Sequence, residues 1–282
     1  MNQKKTLQEL TFKDNFMFCA VLLDPINCKG VIERSIGTEI ERVEVSKEKS
    51  IVYNPEYRGV RLDAYAKDEH KTRYNIEMQI LSKPALQKRA RYYHSQIDME
   101  ILLTGVSYED IPNTYVIFIC DFDPFGEGKY RYTRRAICKE VPELEMDDGA
   151  YTIFLSTKGS NEDEVPEELV KFLKFVGEQS SDSDKDYDDA FVKRLQDSVK
   201  DVKASREMGA RYMTFQELLK DEREAGRAQG KAENVLELLR ELGDVPQELE
   251  KRIMDEKDLS VLSTWLKYAA KTETIDEFIS KM

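Results

Sequence analysis

The chain has 282 residues, 40% of them hydrophobic and 35% charged, which is enough apolar material for one sizeable domain with an appendage or for two small domains. The net charge of −12 is uneven: residues 1–158 carry 23 Lys+Arg against 25 Asp+Glu and the remainder 20 against 30, so the acidity belongs to the tail, and the first part is free to carry a local basic face. Two histidines and four cysteines without a C-x-x-C spacing argue against a Cys/His zinc site, and no apolar run approaches the ~20 residues of a membrane helix.

The cysteines (Cys19, Cys28, Cys120 and Cys138) stand far apart, three of them beside apolar residues, which predicts free and mostly buried thiols in a reducing compartment. The first residues, MNQKKTLQEL, have lysines with no apolar stretch behind them and do not read as a secretory signal. A cytoplasmic protein without membrane contact is the expectation.

In chain order, residues 6–37 show helical periodicity, divided into two helices by DPINCKG at 24–30. Residues 39–53 are rich in β formers and end at Asn54-Pro55. Two alternating segments follow, 59–66 and 73–81, joined by the polar loop KDEHKT and predicted to form a hairpin. A helix is predicted over 84–103, after Lys83-Pro84. TYVIFICDF, 114–122, reads as a strand buried on both faces, and 129–138 and 151–155 as further strands. This order predicts an α/β domain with a mixed central sheet flanked by helices, over residues 1–160. A short helix and a flexible acidic linker are expected over 161–189, and an all-helical region over 190–282, in which 225–233 (AGRAQGKAE) reads as an exposed, frayed helix.

The chemistry concentrates in the hairpin. Side chains alternate across a strand, so Arg61, Asp63 and Tyr65 share one face of the first segment and Asn75, Glu77 and Gln79 one face of the second. The opposite faces are both apolar and point to one core, so the polar sets point the same way. If residues 63 and 77 face each other, their Cβ atoms lie roughly 5 Å apart. Carboxylates so placed repel, and one is driven toward its neutral form unless a cation lies between them. A hard divalent ion such as Mg²⁺ suits those oxygens. A solvated polar sheet face is the plainer explanation of any single acid here, and the ordered D-x13-E-x-Q spacing ahead of a basic helix weighs against it. On that helix Leu86, Ala90, Tyr93 and Ile97 form an apolar stripe, while Lys88, Arg91, Tyr92, Ser95 and Gln96 lie toward other faces. Arg91, Tyr92 and Gln96 would border the metal site or a DNA backbone, or belong to a solvated helix face. Lys88 and Arg89 are open between a solvated and a functional role. Arg131, Arg134 and Arg135 read as phosphate contacts or as a charged strand surface.

GVRLDAYAKDE…YNIEMQ, KRARYYHSQID, TYVIFICDFDPFG and YRYT, in this order, resemble the Rpn-like recombination-promoting nuclease and transposase family of the PD-(D/E)XK superfamily, over about residues 6–158. The resemblance implies a restriction-endonuclease-like core and a Mg²⁺- or Mn²⁺-dependent DNA endonuclease linked to recombination, mobile elements or defence. Asp63 would take the aspartate position and bind the metal, sharing it with Glu77 and the carbonyl of Met78. Gln79 stands where many superfamily members place a lysine, and Leu62 where they place proline. An uncharged Gln79 leaves transition-state charge to the metal and to Arg61, Lys88 or Arg91. Asp14 matches an acidic position of the family, as a further metal-site carboxylate or as a helix N-terminal charge. DNA is the implied partner, and the helical tail is expected to support a homodimer. The alternative is a catalytically silent nuclease-fold module that binds DNA or a protein through its tail.

Overall fold

A computed structural model describes residues 5–46, 50–51, 60–61, 63–102, 107–178 and 185–282, with 50–51 and 60–61 described by their backbone alone. The chain divides into two compact units, Met1–Gly209 and Ala210–Met282.

The first unit opens with helix α1 (Asn15–Leu22) and helix α2 (Pro25–Ile36). The stretch 24–30, expected to be a break, is the start of α2. Asp24 accepts hydrogen bonds from the free N–H groups of Ile26 and Asn27, and Pro25 takes the first position, where its missing donor costs nothing. The helix ends at Gly37, whose φ of 78° suits glycine. Strand β1 (Val43–Ser46) follows.

The single strand expected over 59–66 is two. β2 (Ser50–Ile51) and β3 (Val60–Arg61) form their own small antiparallel pair, and β4 (Ala64–Asp68) belongs to the main sheet. β5 (Arg73–Gln79) returns against β4, with Ala64 opposite Ile76 and Tyr65 opposite Asn75, the register that puts residue 63 across from residue 77. Asp68 Oδ1 accepts from the backbone of His70 and Thr72 and holds the turn.

Helix α3 (Leu86–Ile101) then crosses over to β6 (Thr114–Cys120), which runs parallel to β5. A parallel pair needs such a crossover because its strands cannot be joined by a tight turn. β7 (Arg131–Arg134) and β8 (Ala150–Ser156) complete the sheet, in the order β1-β4-β5-β6-β8-β7. β6 lies parallel between β5 and β8, and its residues Val116 to Cys120 are fully buried, as their unbroken apolar character requires.

Both sheet faces are covered. α3 lays its stripe, Leu86, Ala90, Tyr93 and Ile97, over Tyr65, Val116, Phe118, Cys120 and Phe154. α2 packs against β1 and β8 on the other side. The polar hairpin face therefore lies under α3.

Helices α4 (Glu167–Val176) and α5 (Ala190–Ala204) pack on α2, and α5 also on α1, within this same unit. Phe12 lies against Phe172 and Phe175. The compact unit thus runs past residue 160, where the sequence reading ended the first domain. Residues 179–184 of the expected linker lie outside the described residues. Beyond them Tyr187 is buried, and Asp189 caps α5 by accepting from Phe191 and Val192.

The second unit contains the greater part of α6 (Arg206–Leu242) with α7 (Gln247–Asp255), α8 (Leu259–Ala269) and α9 (Ile275–Lys281). Its core gathers Val235, Leu236, Leu239, Ile253, Leu262, Trp265 and Phe278. Ala228 and Ala232 are buried in it, so 225–233 is not the frayed segment its charges and glycines suggest. Small side chains let the other helices approach there. Among the described residues no single helix is long and apolar enough to cross a membrane.

Candidate active site

The hairpin register brings Asp63 beside Glu77. Asp63 Oδ2 accepts from the Met78 N–H at 3.1 Å, so a carboxylate meets a strand donor just where the backbone leaves the main sheet. The Asp63 N–H points to Glu77 Oε1 at 3.4 Å, and Asn15 Nδ2, at the start of α1, donates to Asp63 Oδ1 at 2.9 Å. Glu77 is 3% exposed and Gln79 8%.

Arg89 of α3 ties the set together. Its Nη1 donates to Gln79 Oε1 at 2.9 Å and its Nη2 to the Tyr93 hydroxyl at 2.9 Å, with Nη2 3.5 Å from Glu77 Oε2. Tyr93 in turn donates to Glu77 Oε2 at 3.3 Å. Gln79 Nε2 donates to the Met78 carbonyl at 3.0 Å. The end of β5 is anchored by the Asp121 N–H, which donates to the Gln79 carbonyl. Asp121 is itself fixed by a buried ion pair to Lys13 at 2.6 Å and by Thr157.

Burial is the main force on Glu77, and it raises the carboxyl well above its ordinary range; the negative charge of Asp63 adds to this, and Arg89 opposes it. Burial likewise raises Tyr93, with Glu77 contributing, so its hydroxyl remains a donor. A pair of facing acids, one of them penalised for its charge, is a donor set that fits a hard divalent cation: two carboxylates, with the Met78 carbonyl and the Gln79 amide oxygen nearby. Among the described residues no three or more His, Cys, Asp or Glu side chains gather as an ion site. Any ion held here therefore relies on backbone or amide oxygens and water beyond the two acids.

The structure brings together Asp63, Glu77, Met78 and Gln79, and separates others from them. Asp14 is the N-cap residue of α1, and its carboxylate is engaged by Lys5 at 2.8 Å and by the Thr11 N–H at 2.7 Å. Its neighbour Asn15 is the residue that reaches Asp63. The Arg61 side chain and Leu62 lie outside the described residues. Lys88 and Arg91 are exposed on α3. Two residues turn a helix by about 200°, which puts Arg91 on the far side from Arg89. Tyr92 packs half-buried against the core beneath α3. Gln96 is buried two turns beyond Arg89, so it faces the protein and not a solvent-borne DNA backbone.

The sequence reading left Arg89 undecided and missed Asn15 and the hydroxyl of Tyr93. For Arg89 the signal was there: it lies four residues before Tyr93 and eight before Ile97, on the buried stripe, where a cation demands a partner. Asn15 had no such signal, because its partner is 48 residues away.

A model of the family described as PD-(D/E)XK nuclease family transposase matches residues 21–229, most of the chain. Comparison with curated proteins and with solved structures returned no match.

Proposed function

This chain belongs to the PD-(D/E)XK nuclease family of transposases, and we propose that it is a metal-dependent DNA endonuclease with Asp63, Glu77 and Gln79 at its centre. The observation that carries the proposal is the facing of Asp63 and Glu77 beside a Gln79–Arg89 contact.

Asp63, Glu77 and the Met78 carbonyl would hold Mg²⁺ or Mn²⁺. When bound, such an ion supplies positive charge to the phosphate and acidity to an attacking water. The chain's own residues do the rest. Asn15 and the Met78 N–H fix the Asp63 carboxylate by one bond to each oxygen. Tyr93 donates to Glu77 and limits its rotation. Arg89 puts a permanent cation at a position where Gln79 carries none, which answers the electrostatic deficit of an E-x-Q site. Lys88 and Arg91, exposed on α3, and the half-buried Tyr92 beside them are the proposed contacts to the DNA backbone. The role proposed from the family is DNA cleavage in recombination, element mobility or defence, inside the cytoplasm.

The test is cleavage of a supercoiled plasmid with and without Mg²⁺ or Mn²⁺, by the full chain and by Asp63→Ala. Metal-dependent nicking that Asp63→Ala abolishes supports the proposal; equal cleavage by both removes the site.

One observation favours the silent-module reading: Glu77 already has a cationic partner in Arg89 at 3.5 Å. Calorimetry decides between the readings. Binding of Mn²⁺ that Asp63→Ala removes supports the enzyme, and no uptake at millimolar ion supports a module for DNA or protein.

A further inference from the structure

Arg131, Thr133 and Arg135 alternate along the edge of the sheet, so they share a face, whereas Arg134 sits at a register position on the other face, across from Thr152. Together with Ser35 at the C-terminal end of α2, and with Tyr115 and Tyr151, they line a cleft of about 400 Å³. The cleft is separate from the acidic pair. Glu77 is in register with Phe118, and Tyr115 lies three residues earlier on β6 and on the opposite face. The sheet itself therefore stands between the two places.

The cleft lies where the C-terminal end of α2, with Ser35 and Ile36, meets the outer strands β8 and β7. Its floor is aromatic: the Tyr115 and Tyr151 rings stack at 4.8 Å and 19°, and Tyr74 continues the row at 5.3 Å. Its outer wall is cationic. Among the described residues Arg131 has no carboxylate within ion-pair distance. A Cβ built on Gly37 would lie 3.3 Å from Arg131 Nη1, so the absence of a side chain there lets the guanidinium settle against the end of α2. Arg135 pairs with Glu145 at 2.6 Å, but both side chains are about half exposed (52% and 55%), and such a pair is readily exchanged for a better anion. Tyr151 donates its hydroxyl to Asp147, which fixes the ring, and Thr133 adds to the lining.

We propose that this cleft binds a nucleotide phosphate, with the phosphate on Arg131 and Arg135 and the base against Tyr115 and Tyr151. Guanidinium forks match phosphate oxygens, and tyrosine rings offer a flat apolar surface that tolerates any base. The volume suits one nucleotide unit. The same chemistry is offered by a free nucleotide and by the terminal nucleotide of a strand. The assignment does not depend on catalysis by Asp63 and Glu77.

The test uses the full chain in EDTA, so that no cleavage intervenes. A short 5′-phosphorylated thymidine oligonucleotide labelled at its 3′ end reports binding by anisotropy, and thymidine 5′-monophosphate competes. Saturable binding is expected, weakened about tenfold by Arg131→Gln and by Arg135→Gln. Competition by the mononucleotide supports a free-nucleotide site, and binding of the oligonucleotide alone supports a strand-end site. Unfolding temperatures are read in parallel, with Arg131→Lys as the variant that keeps the charge should Arg131→Gln fail to fold; partial loss of binding is then expected. No saturable binding of either probe at millimolar concentration overturns the proposal. So does a variant that lowers the unfolding temperature and leaves binding intact, since Arg131 then serves only the end of α2.

Discussion

Arg89 Nη1 donates to Gln79 Oε1 at 2.9 Å, across from α3 to the last residue of β5. A positive charge that position 79 does not carry is thus delivered by the helix that covers the strand. One guanidinium also reaches Tyr93 and Glu77, which no single-point donor does in this geometry.

Arg89→Ala is therefore expected to lower the single-turnover rate of plasmid cleavage by on the order of 10²-fold, the usual cost of removing one preorganised donor from a site of developing charge. Arg89→Lys should restore little of it, because an ammonium cannot hold Gln79, Tyr93 and Glu77 at once. A wild-type rate in Arg89→Ala would show that the cation plays no part in the reaction.

Gln79→Lys offers a sharper check. Many superfamily members carry lysine there, yet here the new ammonium would face the Arg89 guanidinium in a mostly buried space. The single variant should be destabilised, and Gln79→Lys combined with Arg89→Gln should recover much of the loss. Thermal unfolding of the four proteins gives the coupling; additive effects would mean that positions 79 and 89 do not sense each other.

Glu77 links the site to pH. Burial, with Asp63 adding to it, raises its carboxyl in the folded state above the ordinary value near 4.5. The unfolded chain then gives up its proton first as pH rises. The stability associated with the neutral carboxyl is complete below the unfolded value and is lost as pH climbs through the folded one. Without divalent ions, the wild type should lose stability between about pH 5 and about pH 8, by on the order of a few kcal/mol, and Glu77→Gln should lose much less. Mn²⁺ should offset the loss in the wild type alone, because a cation favours the charged form. Parallel curves for the two proteins, with and without Mn²⁺, would contradict this account.

The sequence leads to the expectation that the helical region supports a homodimer. On α6, Met213 is 66% exposed and Leu218 55%, in a stretch whose charges otherwise suit solvent. Light scattering of the full chain is expected to give a dimer, and the double variant Met213→Asp, Leu218→Asp a monomer with unchanged helix content. If both proteins have the same mass, α6 does not join copies of this chain.

The sequence by itself determined the broad order of helices and strands, the strand buried on both faces and which hairpin side chains share a face; the register that sets residue 63 across from residue 77 came from the folded hairpin. The first three follow from short-range periodicity: an unbroken apolar run must be buried on both faces, and alternation fixes which side chains share a face. It also marked the apolar stripe of α3. What only the tertiary structure decided was which polar face is covered and by what. The hairpin's polar face is buried because α3 folds back over it, and that packing, not local pattern, brings Arg89 onto Gln79 and raises Glu77. Asn15 meets Asp63 for the same reason, through a contact that spans 48 residues. The first compact unit extends to Gly209 because Phe172 and Phe175 meet Phe12 from far along the chain. Such contacts join segments whose patterns each look complete alone, and only the packing energy of the folded chain selects among the ways they can meet.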